Sequence, residues 1–402
     1  MQNSYSDYSE YKHQNTYCFA LILFLIFANC YAFFRFNQEG NLFVDYGSYQ
    51  LKDTSWAFYD LMSIVLLFSF LYLVFRYLIE RFKSCCNPYE PSYEIGLAVL
   101  IYQLCYLLFS VSTGVGHAGV DVSSSSIFNY LFLIIRPSFL FIFYFMTSKR
   151  TKLLHFNLLV YVLSMLYFGW IGVLADLILL SIAKKDFSLR SVIFSKWFVL
   201  SVVIVFFLPV IIYLRNVYRL DSFENMSLSN ALEYAKLGFE GVDILVMRYQ
   251  QYFSLLYFKD NLDTFTNLYL YGEISPLYSQ GALPGFIYSM LSDGQHYLSL
   301  GVKLAEQSRG LLDGRVTSFT TGLVPYFYFE DGLISFVYIL LLIFLIVYLL
   351  SKIRAVNTPL QFACFYYICN YLLAGWINAL FSFVLCFALY VFIVRIRFVI
   401  SK

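Results

Sequence analysis

The feature that most constrains this chain is a series of apolar stretches long enough to cross a lipid bilayer. A helical span needs roughly 20 predominantly apolar residues, and the 402-residue sequence is 60% hydrophobic and only 13% charged. Soluble domains carry about 25% charged residues. The sequence therefore predicts an all-α, polytopic membrane protein with about ten transmembrane helices. The predicted spans are 17–34, 57–80, 93–112, 127–147, 153–169, 170–183, 197–214, 333–350, 359–376 and 377–394.

Basic residues in the short loops predict the orientation. The loops that contain Lys and Arg are 81–92, 148–152, 184–196 and 351–357, together with the C-terminal tail. The positive-inside rule assigns these loops and both termini to the cytoplasm. This requires the stretch 153–183, interrupted by Gly169 and Gly172, to cross twice. One long tilted helix is the alternative for this stretch. We expect a multi-pass protein of a bacterial inner (cytoplasmic) membrane.

The predicted spans divide the chain into three parts. Residues 1–214 hold the first seven spans, residues 215–332 form one large loop, and residues 333–402 hold the last three spans and a cytoplasmic tail. The predicted orientation places the large loop in the periplasm. Within this loop, residues 242–258 are apolar around most of a helical circumference. We expect one helix there that lies against the membrane or the span bundle.

Net charge, cysteine positions and the spacing of possible metal ligands limit the partners and sites that this sequence can have. The net charge of +2 gives no electrostatic basis for binding nucleic acid. The eight cysteines all lie outside the large loop, which excludes a disulfide framework there. No spacing of His, Cys, Asp and Glu matches a metal site, and we predict neither a metal nor a cofactor. Residues 1–16 lack the basic start of a signal peptide, so the first apolar run is expected to stay as a span.

The residues best suited to chemistry lie where the large loop enters the eighth span. The segment from Arg315 to Leu333 holds a guanidinium, the hydroxyls of Thr317 and Thr320, and the carboxylates of Glu330 and Asp331. An arginine presents a planar fork that fits phosphate oxygens, and hydroxyls donate to phosphate or sugar oxygens. The alternative is a Thr-rich turn followed by an interfacial aromatic belt, and the residues alone leave both interpretations open.

The same segment resembles the C-terminal signature of the bacterial O-antigen polymerase family. The stretch 317–325, Thr-Ser-Phe-Thr-Thr-Gly-Leu-Val-Pro, is followed by aromatic residues and by Glu-Asp-Gly at the start of a span. The pair Arg248 and Tyr249 is similar to an arginine-aromatic element of that family, and Ser-Pro-Leu at 275–277 lies where the family has a Pro-rich stretch. The many spans and the large loop before the signature also look like that family.

The resemblance implies a glycosyl transfer outside the inner membrane. The growing glycan would leave its undecaprenyl diphosphate and join the non-reducing sugar of an incoming lipid-linked repeat unit. The partners implied are undecaprenyl-diphosphate-linked oligosaccharides, the membrane lipid and a separate chain-length regulator protein. Charge on the diphosphate must be stabilised and an acceptor hydroxyl deprotonated.

Candidate residues for these two roles lie mostly in the large loop. Those expected to bind the diphosphate or the glycan are Arg215, Arg219, Arg248, Arg309, Arg315, Thr317, Thr320 and, within a span, Arg136. Those expected to act as the base are His296, Glu330 and Asp331. The alternative for each loop arginine is an ordinary solvated charge, for His296 a surface or turn histidine, and for Glu330 and Asp331 a helix start whose dipole suits acidic residues.

Arg136 stands apart because it lies beside Pro137 near the middle of the fourth predicted span. An unpaired charge there is costly, so we expect its side chain to face the bundle interior, with Asp176 as a candidate partner. Contact with the lipid diphosphate or glycan and a purely structural clamp between helices are both open interpretations.

Other functions compatible with this sequence are an O-antigen ligase and a flippase or transporter of lipid-linked oligosaccharides. A ligase uses the same donor but transfers it to a lipid A-core acceptor. A flippase is typically expected to have twelve or more spans and short outer loops, which this sequence does not predict. A glycan acetyltransferase would need a catalytic histidine in an early span, and His155 lies at the cytoplasmic end of the fifth predicted span.

Overall fold

The chain folds into a bundle of α-helices with a helical large loop. The computed structural model describes residues 13–44, 47–82, 88–115, 126–149, 151–170, 173–188, 191, 196–219, 236, 240–280, 282–291, 299–309 and 321–400. Helices α1 to α9 run up to residue 219, so that the end of α9 reaches into the large loop: Gln14–Glu39, Ala57–Arg81, Tyr93–Thr113, Ile127–Ile134, Pro137–Thr147, Lys152–Tyr167, Val173–Lys185, Lys196–Phe206 and Leu208–Arg219.

The second half of the chain is also helical. The large loop contains α10 to α14, which are Glu240–Arg248, Tyr252–Asp260, Leu262–Leu270, Ala282–Leu291 and Leu300–Arg309. Two short 3-10 turns, Leu277–Ser279 and Val324–Tyr328, lie in the same region. The chain ends with α15, α16 and α17, which are Gly332–Lys352, Pro359–Ala374 and Ile377–Ile400.

Six stretches of helix are long and apolar enough to cross a membrane, and the chain is accordingly a multi-pass, all-α membrane protein. They are α1, α2, α3, the pair α4 and α5, α15, and residues Ile377–Ile396 of α17. Each coincides with a predicted span. The other four predicted spans correspond to shorter helices, namely α6, α7, the pair α8 and α9, and α16. The count of ten spans therefore stays a prediction.

A small two-stranded β-hairpin lies between α1 and α2. Strands β1 (Leu42–Val44) and β2 (Gly47–Tyr49) pair antiparallel, with Leu42 opposite Tyr49. A two-stranded hairpin is only marginally stable alone, and this one packs against α11 of the large loop. We call the end of the bundle that carries this hairpin the hairpin end.

The fourth predicted span is a broken helix. Helix α4 ends at Ile134, and α5 begins at Pro137 after two residues that leave the helical conformation. Proline has no amide hydrogen and its ring clashes with the preceding turn, so it is tolerated at the first position of a helix but breaks a helix elsewhere. The Ile135 carbonyl accepts a 2.8 Å hydrogen bond from the Tyr102 hydroxyl of α3. This bond satisfies a backbone group that the break would otherwise leave unpaired within the apolar bundle.

The stretch 153–183 contains two separate helices, as predicted, and the alternative of one long helix is wrong. Helix α6 ends at Tyr167, and Gly169 follows with φ of 71°. The amide of Trp170 donates a 2.9 Å hydrogen bond back to the Met165 carbonyl. A left-handed glycine with such backbone bonds is a common helix ending.

Helix α16 lies at the centre of the bundle, because 15 of its 16 residues are buried. It packs against α1, α5, α7 and α17. Aromatic pairs contribute to this packing: Phe365 meets Phe75 at a centroid distance of 4.7 Å, and Tyr367 meets Phe383 at 5.2 Å. Such pairs typically add about 0.5–1.5 kcal/mol beyond the area they bury.

Candidate functional site

The predicted helix over residues 242–258 is in fact two helices. Helix α10 ends at Arg248, α11 begins at Tyr252, and Tyr249 to Gln251 form the turn between them. The Gln250 side-chain oxygen accepts a 2.9 Å hydrogen bond from the Phe253 amide, which pairs one of the free amides at the start of α11. The prediction of a single continuous helix is therefore wrong.

This helical pair folds into the bundle and returns. Asp243 of α10 accepts hydrogen bonds from Tyr31 and Arg35 near the end of α1. Further along, Tyr249 packs edge-on against Phe24, near the middle of α1, at a centroid distance of 5.4 Å. The contacts then move back toward the end of α1.

The return begins at Gln251, whose amide donates a 3.0 Å hydrogen bond to the Asn29 side-chain oxygen. The next residue, Tyr252, packs against Phe33 and Phe36 of α1. Residues 240–260 thus enter and leave from the hairpin end, and we call them the re-entrant hairpin. Non-helical backbone at membrane depth is tolerated where protein surrounds it. Protein surrounds the turn of the re-entrant hairpin, because Gln250 and Gln251 are both buried.

The re-entrant hairpin is anchored to the hairpin end by charged groups. The Lys259 ammonium lies 2.8 Å from the Asp60 carboxylate of α2, and both side chains are largely buried. The Tyr49 hydroxyl of β2 donates a 2.6 Å hydrogen bond to Asp260. Burial alone would lower the pKa of Lys259, but its hydrogen bond to Asp60 and the charge of that carboxylate raise it overall. Lys259 therefore stays charged, and its ion pair fixes the position of α11.

A second turn of the large loop meets the turn of the re-entrant hairpin. Thr321 and Gly322 are both buried, and a Cβ atom on Gly322 would lie 1.7 Å from Oε1 of Gln251. On the other side, a Cβ atom on Gly375, between α16 and α17, would lie 2.0 Å from Oγ1 of Thr321. Gly322 and Gly375 both have φ of +69°, which glycine adopts without steric cost. The glycines of this region thus allow close contact within the protein itself.

These contacts place buried polar groups together deep in an apolar bundle. Asn29, Gln250, Gln251 and Thr321 are each 7% exposed or less, and Oε1 of Gln251 is buried without a hydrogen-bond partner among the described residues. We call these four residues and Gly322 the turn site. Buried polar groups without partners are uncommon in folded proteins, and each calls for an explanation.

An apolar cavity of about 390 Å³ reaches the turn of the re-entrant hairpin. Its walls come from α1, α7, α8, α9 and α16, and its lining includes Phe24, Ile178, Val205 and Phe362. Tyr249 lines the same cavity, and the exposed Arg248 precedes Tyr249 directly in the chain. The apolar cavity is thus lined by the residue that directly follows Arg248, the positively charged last residue of α10.

The bundle also contains the carboxyl group of Asp176, whose partner differs from the one predicted from the sequence. Asp176 of α7 accepts a 2.5 Å hydrogen bond from the Tyr366 hydroxyl of α16. Tyr366 lines the same cavity as Tyr249. The predicted pairing of Asp176 with Arg136 is therefore not seen: among the described residues, no carboxylate lies within 4.0 Å of the Arg136 guanidinium.

Arg136 instead lies at the break between α4 and α5. Its guanidinium is 5.7 Å from the centre of the Phe139 ring and interacts electrostatically with Tyr106 and Tyr371. The side chain is half-buried. Tyr371 lies one turn before Gly375, so Arg136 lies on the same side of the bundle as the turn site.

The two carboxylates at the start of α15 differ in their exposure. The Glu330 side chain is exposed, whereas Asp331 is half-buried and its Oδ2 has no hydrogen-bond partner in the described part of the chain. The Tyr269 phenol interacts electrostatically with Asp331, and its ring stacks on Phe329 at a centroid distance of 4.2 Å. Burial raises the pKa of the Tyr269 phenol, and the neighbouring Asp331 carboxylate raises it further. Tyr269 therefore stays protonated and able to donate to Asp331.

For the other predicted site residues, no side-chain contact is described. Arg215 and Arg219 lie in the last turns of α9 and Arg309 at the end of α14, and their side chains are not described. His296, Arg315, Thr317 and Thr320 lie outside the described residues. The predicted set is thus located only at Arg248, Glu330, Asp331 and Arg136.

Several polar residues of this region were missed from the sequence. Asn29 is an isolated amide in the apolar first span, and that isolation was a usable signal. Gln251 and Tyr366 offered none, because they lie in polar-aromatic stretches without a recognisable spacing. The structure, not the sequence, brings them beside Tyr249.

Neither a metal site nor a known relative adds to this picture. Within the described ranges, no group of three or more His, Cys, Asp and Glu residues is placed to hold a metal ion. No protein-family model matches the chain, and no curated protein or solved structure is detectably similar to it.

Proposed function

We propose that this protein is an O-antigen or related polysaccharide polymerase that acts on undecaprenyl-diphosphate-linked repeat units at the outer face of the inner membrane. The observation that carries the proposal is the apolar cavity lined by Tyr249, the residue that directly follows the exposed Arg248 in the chain. An isoprenoid diphosphate has the same two parts, an apolar tail and an anionic head. The Thr-rich signature adjoining the turn site supports the same substrate.

The chemistry is a substitution at the sugar carbon attached to the diphosphate. The bond from that carbon to the phosphate oxygen breaks, the electron pair leaves with the diphosphate, and a new bond forms to an acceptor hydroxyl oxygen. Cations stabilise the leaving diphosphate. We assign this role to Arg248 and Arg315, with Arg215, Arg219, Arg309 and Arg136 as further candidates, and expect Thr317 and Thr320 to contact glycan or phosphate oxygens.

A base must take the proton of the acceptor hydroxyl. Asp331 suits this role better than Glu330, because its carboxyl is half-buried and interacts with the Tyr269 phenol, whereas Glu330 is exposed at the surface. His296 remains a candidate outside the described residues.

The proposal includes the predicted orientation. Ten spans with both termini in the cytoplasm would put the hairpin end, the re-entrant hairpin and the start of α15 on the periplasmic side. That is the side on which the lipid-linked repeat units would be joined. The charge distribution of the short loops supports this orientation.

The test is deletion of the gene, followed by analysis of surface glycan and of lipid-linked intermediates. A polymerase predicts glycan limited to one repeat unit, restored to a ladder of lengths by the wild-type gene. A ligase predicts long glycan retained on undecaprenyl diphosphate, and a flippase predicts repeat units retained on the cytoplasmic face. An unchanged ladder would exclude all three activities.

A further inference from the structure

The first two turns of α15 carry three buried oxygen atoms without a protein hydrogen-bond partner. They are Oδ2 of Asp331, Oγ of Ser335 and the hydroxyl oxygen of Tyr338, and the absence of partners refers to the residues that the structure describes. Residues spaced by four and then three lie on the same face of a helix, so these oxygens lie along one stripe. Ser335 is 1% exposed. Buried polar atoms without partners are a small minority in folded proteins, and three on one stripe call for a common explanation.

Residues of the large loop surround the carboxyl group of the stripe. The Tyr269 and Tyr278 phenols both interact electrostatically with the Asp331 carboxylate. The 3-10 turn Leu277–Ser279 packs directly against α15. At the Asp331 end, the stripe therefore faces residues of the large loop rather than lipid.

The charges and dipoles along the stripe select the class of ligand. A cation would lie at the positive end of the α15 dipole, and Asp331 is the one carboxylate on the stripe. An anion would be repelled by Asp331 itself. A neutral ligand with several hydroxyl groups meets neither objection, because a hydroxyl can donate to the Asp331 carboxylate and both donate to and accept from Ser335 and Tyr338.

We propose that this stripe, formed by Asp331, Ser335 and Tyr338, binds the acceptor sugar of the incoming repeat unit and that Asp331 takes the proton from its attacking hydroxyl. The inference rests on the proposed polymerase function and names the acceptor subsite of that reaction. The hydroxyl oxygen forms the new bond to the donor sugar carbon as the bond from that carbon to the diphosphate breaks. The proton passes to Asp331 and then to water, so that no further reactant is needed.

Variants of Ser335 and Tyr338 separate ligand binding from a structural role. A buried hydroxyl that has no protein partner contributes nothing to folding, and its replacement by an apolar group is neutral or stabilising. Ser335→Ala and Tyr338→Phe should therefore keep or raise the melting temperature while weakening sugar binding at least threefold. Asp331→Asn should abolish chain extension. Matched controls at the other end of the same helix are Ser351→Ala and Tyr348→Phe, for which we expect wild-type behaviour.

Binding is measured by saturation-transfer NMR on the full-length protein in lipid nanodiscs. The probes are the methyl glycosides of glucose, galactose, N-acetylglucosamine and rhamnose. We expect saturation transfer to at least one glycoside, lost or weakened in the three stripe variants and retained in both controls. Absence of transfer to every glycoside, or equal transfer in wild type and stripe variants, would overturn the inference.

A second measurement, the glycan ladder in the complemented deletion strain, keeps the two proposals apart. Loss of the ladder on deletion, combined with normal ladders from all three stripe variants, would overturn the acceptor subsite and leave the polymerase function standing. A normal ladder in the deletion strain would overturn the polymerase function, and a glycoside signal lost in the stripe variants would then still identify a sugar-binding stripe.

Discussion

The backbone amide of Gln251 donates a 3.0 Å hydrogen bond to the side-chain oxygen of Asn29. Asn29 is fully buried, and its side-chain nitrogen is itself bonded to the Leu25 carbonyl at 2.8 Å. One amide side chain within the first span thus holds the turn of the re-entrant hairpin. The predictions that follow begin with this contact.

Replacing Asn29 by Ala should destabilise the protein. The Gln251 amide would lose its acceptor in a buried position, which typically costs about 1–3 kcal/mol. The free energy of unfolding in mixed micelles measures the effect. Gln38→Ala on the exposed end of the same helix is the control, and equal losses from both variants would contradict a special role for Asn29.

Breaking the ion pair between Lys259 and Asp60 should also destabilise the protein. The two side chains are 20% and 3% exposed, and removing one partner of a buried pair costs about 3–5 kcal/mol; we expect the lower part of that range. A double-mutant cycle with Lys259→Ala and Asp60→Ala measures the coupling. The pair Lys149 and Glu90, 78% and 52% exposed, serves as a control with an expected coupling of about 0–1 kcal/mol.

Gly322→Ala should be more damaging than Gly40→Ala, although the two glycines have nearly the same torsion. Gly322 has φ of +69° and its added Cβ would meet Gln251 at 1.7 Å, whereas Gly40 has φ of +68° and open space around it. Left-handed strain of about 1–2 kcal/mol applies to both, so the difference in melting temperature reports the clash. Adding Gln251→Ala should recover part of the loss only in the Gly322 variant, and the lack of any recovery would argue against this contact.

Arg248→Ala and Arg315→Ala should each abolish chain extension while the protein still inserts and accumulates. A lysine at either position keeps the charge but loses the bidentate fork, so we expect shortened chains from Arg248→Lys. The readouts are the glycan ladder and the amount of protein in the membrane fraction. The control is Arg76→Ala, which removes an exposed pair with Glu80; full-length glycan from Arg248→Ala would remove that residue from the mechanism.

Filling the apolar cavity should slow chain extension without unfolding the protein. Ala175 lines the cavity, and Ala175→Phe places a ring in the space assigned to the isoprenoid tail. We expect the mean chain length to fall severalfold. Ala98→Phe adds the same ring to the exposed face of α3 and should have no effect; unchanged chains from Ala175→Phe would show that the tail lies elsewhere.

Much of the helical framework could be predicted because it depends on local hydropathy. Spans such as 57–80 and 333–350 match α2 and α15 closely, since an apolar stretch of this length has few alternatives in a bilayer. The separation of α6 from α7 was also readable, because Gly169 can end a helix in the left-handed conformation. The break at Pro137 was open to prediction for a similar reason, although the fourth span was predicted as continuous.

The site was less predictable, because it depends on contacts between distant parts of the chain. The turn at Tyr249 to Gln251 contains no Pro or Gly, so an apolar periodic stretch concealed the break. The partner of Asp176 is Tyr366, 190 residues away, and no pattern within the sequence connects them. Asp331 was found as a charge at a span entrance, but Ser335 and Tyr338 look like ordinary span residues until their neighbours are known.

The position of Gly322 between Gln251 and Gly375 has a consequence for how the protein is made. One partner of Thr321 and Gly322 precedes them in synthesis, but the other follows them and lies between the last two helices. The contact of Thr321 and Gly322 with Gly375 therefore cannot form until α16 has left the ribosome and entered the bundle. A chain that stops before Gly375 keeps all the elements of the re-entrant hairpin yet lacks the surface that holds them in place, so early termination should give an inserted but protease-sensitive product.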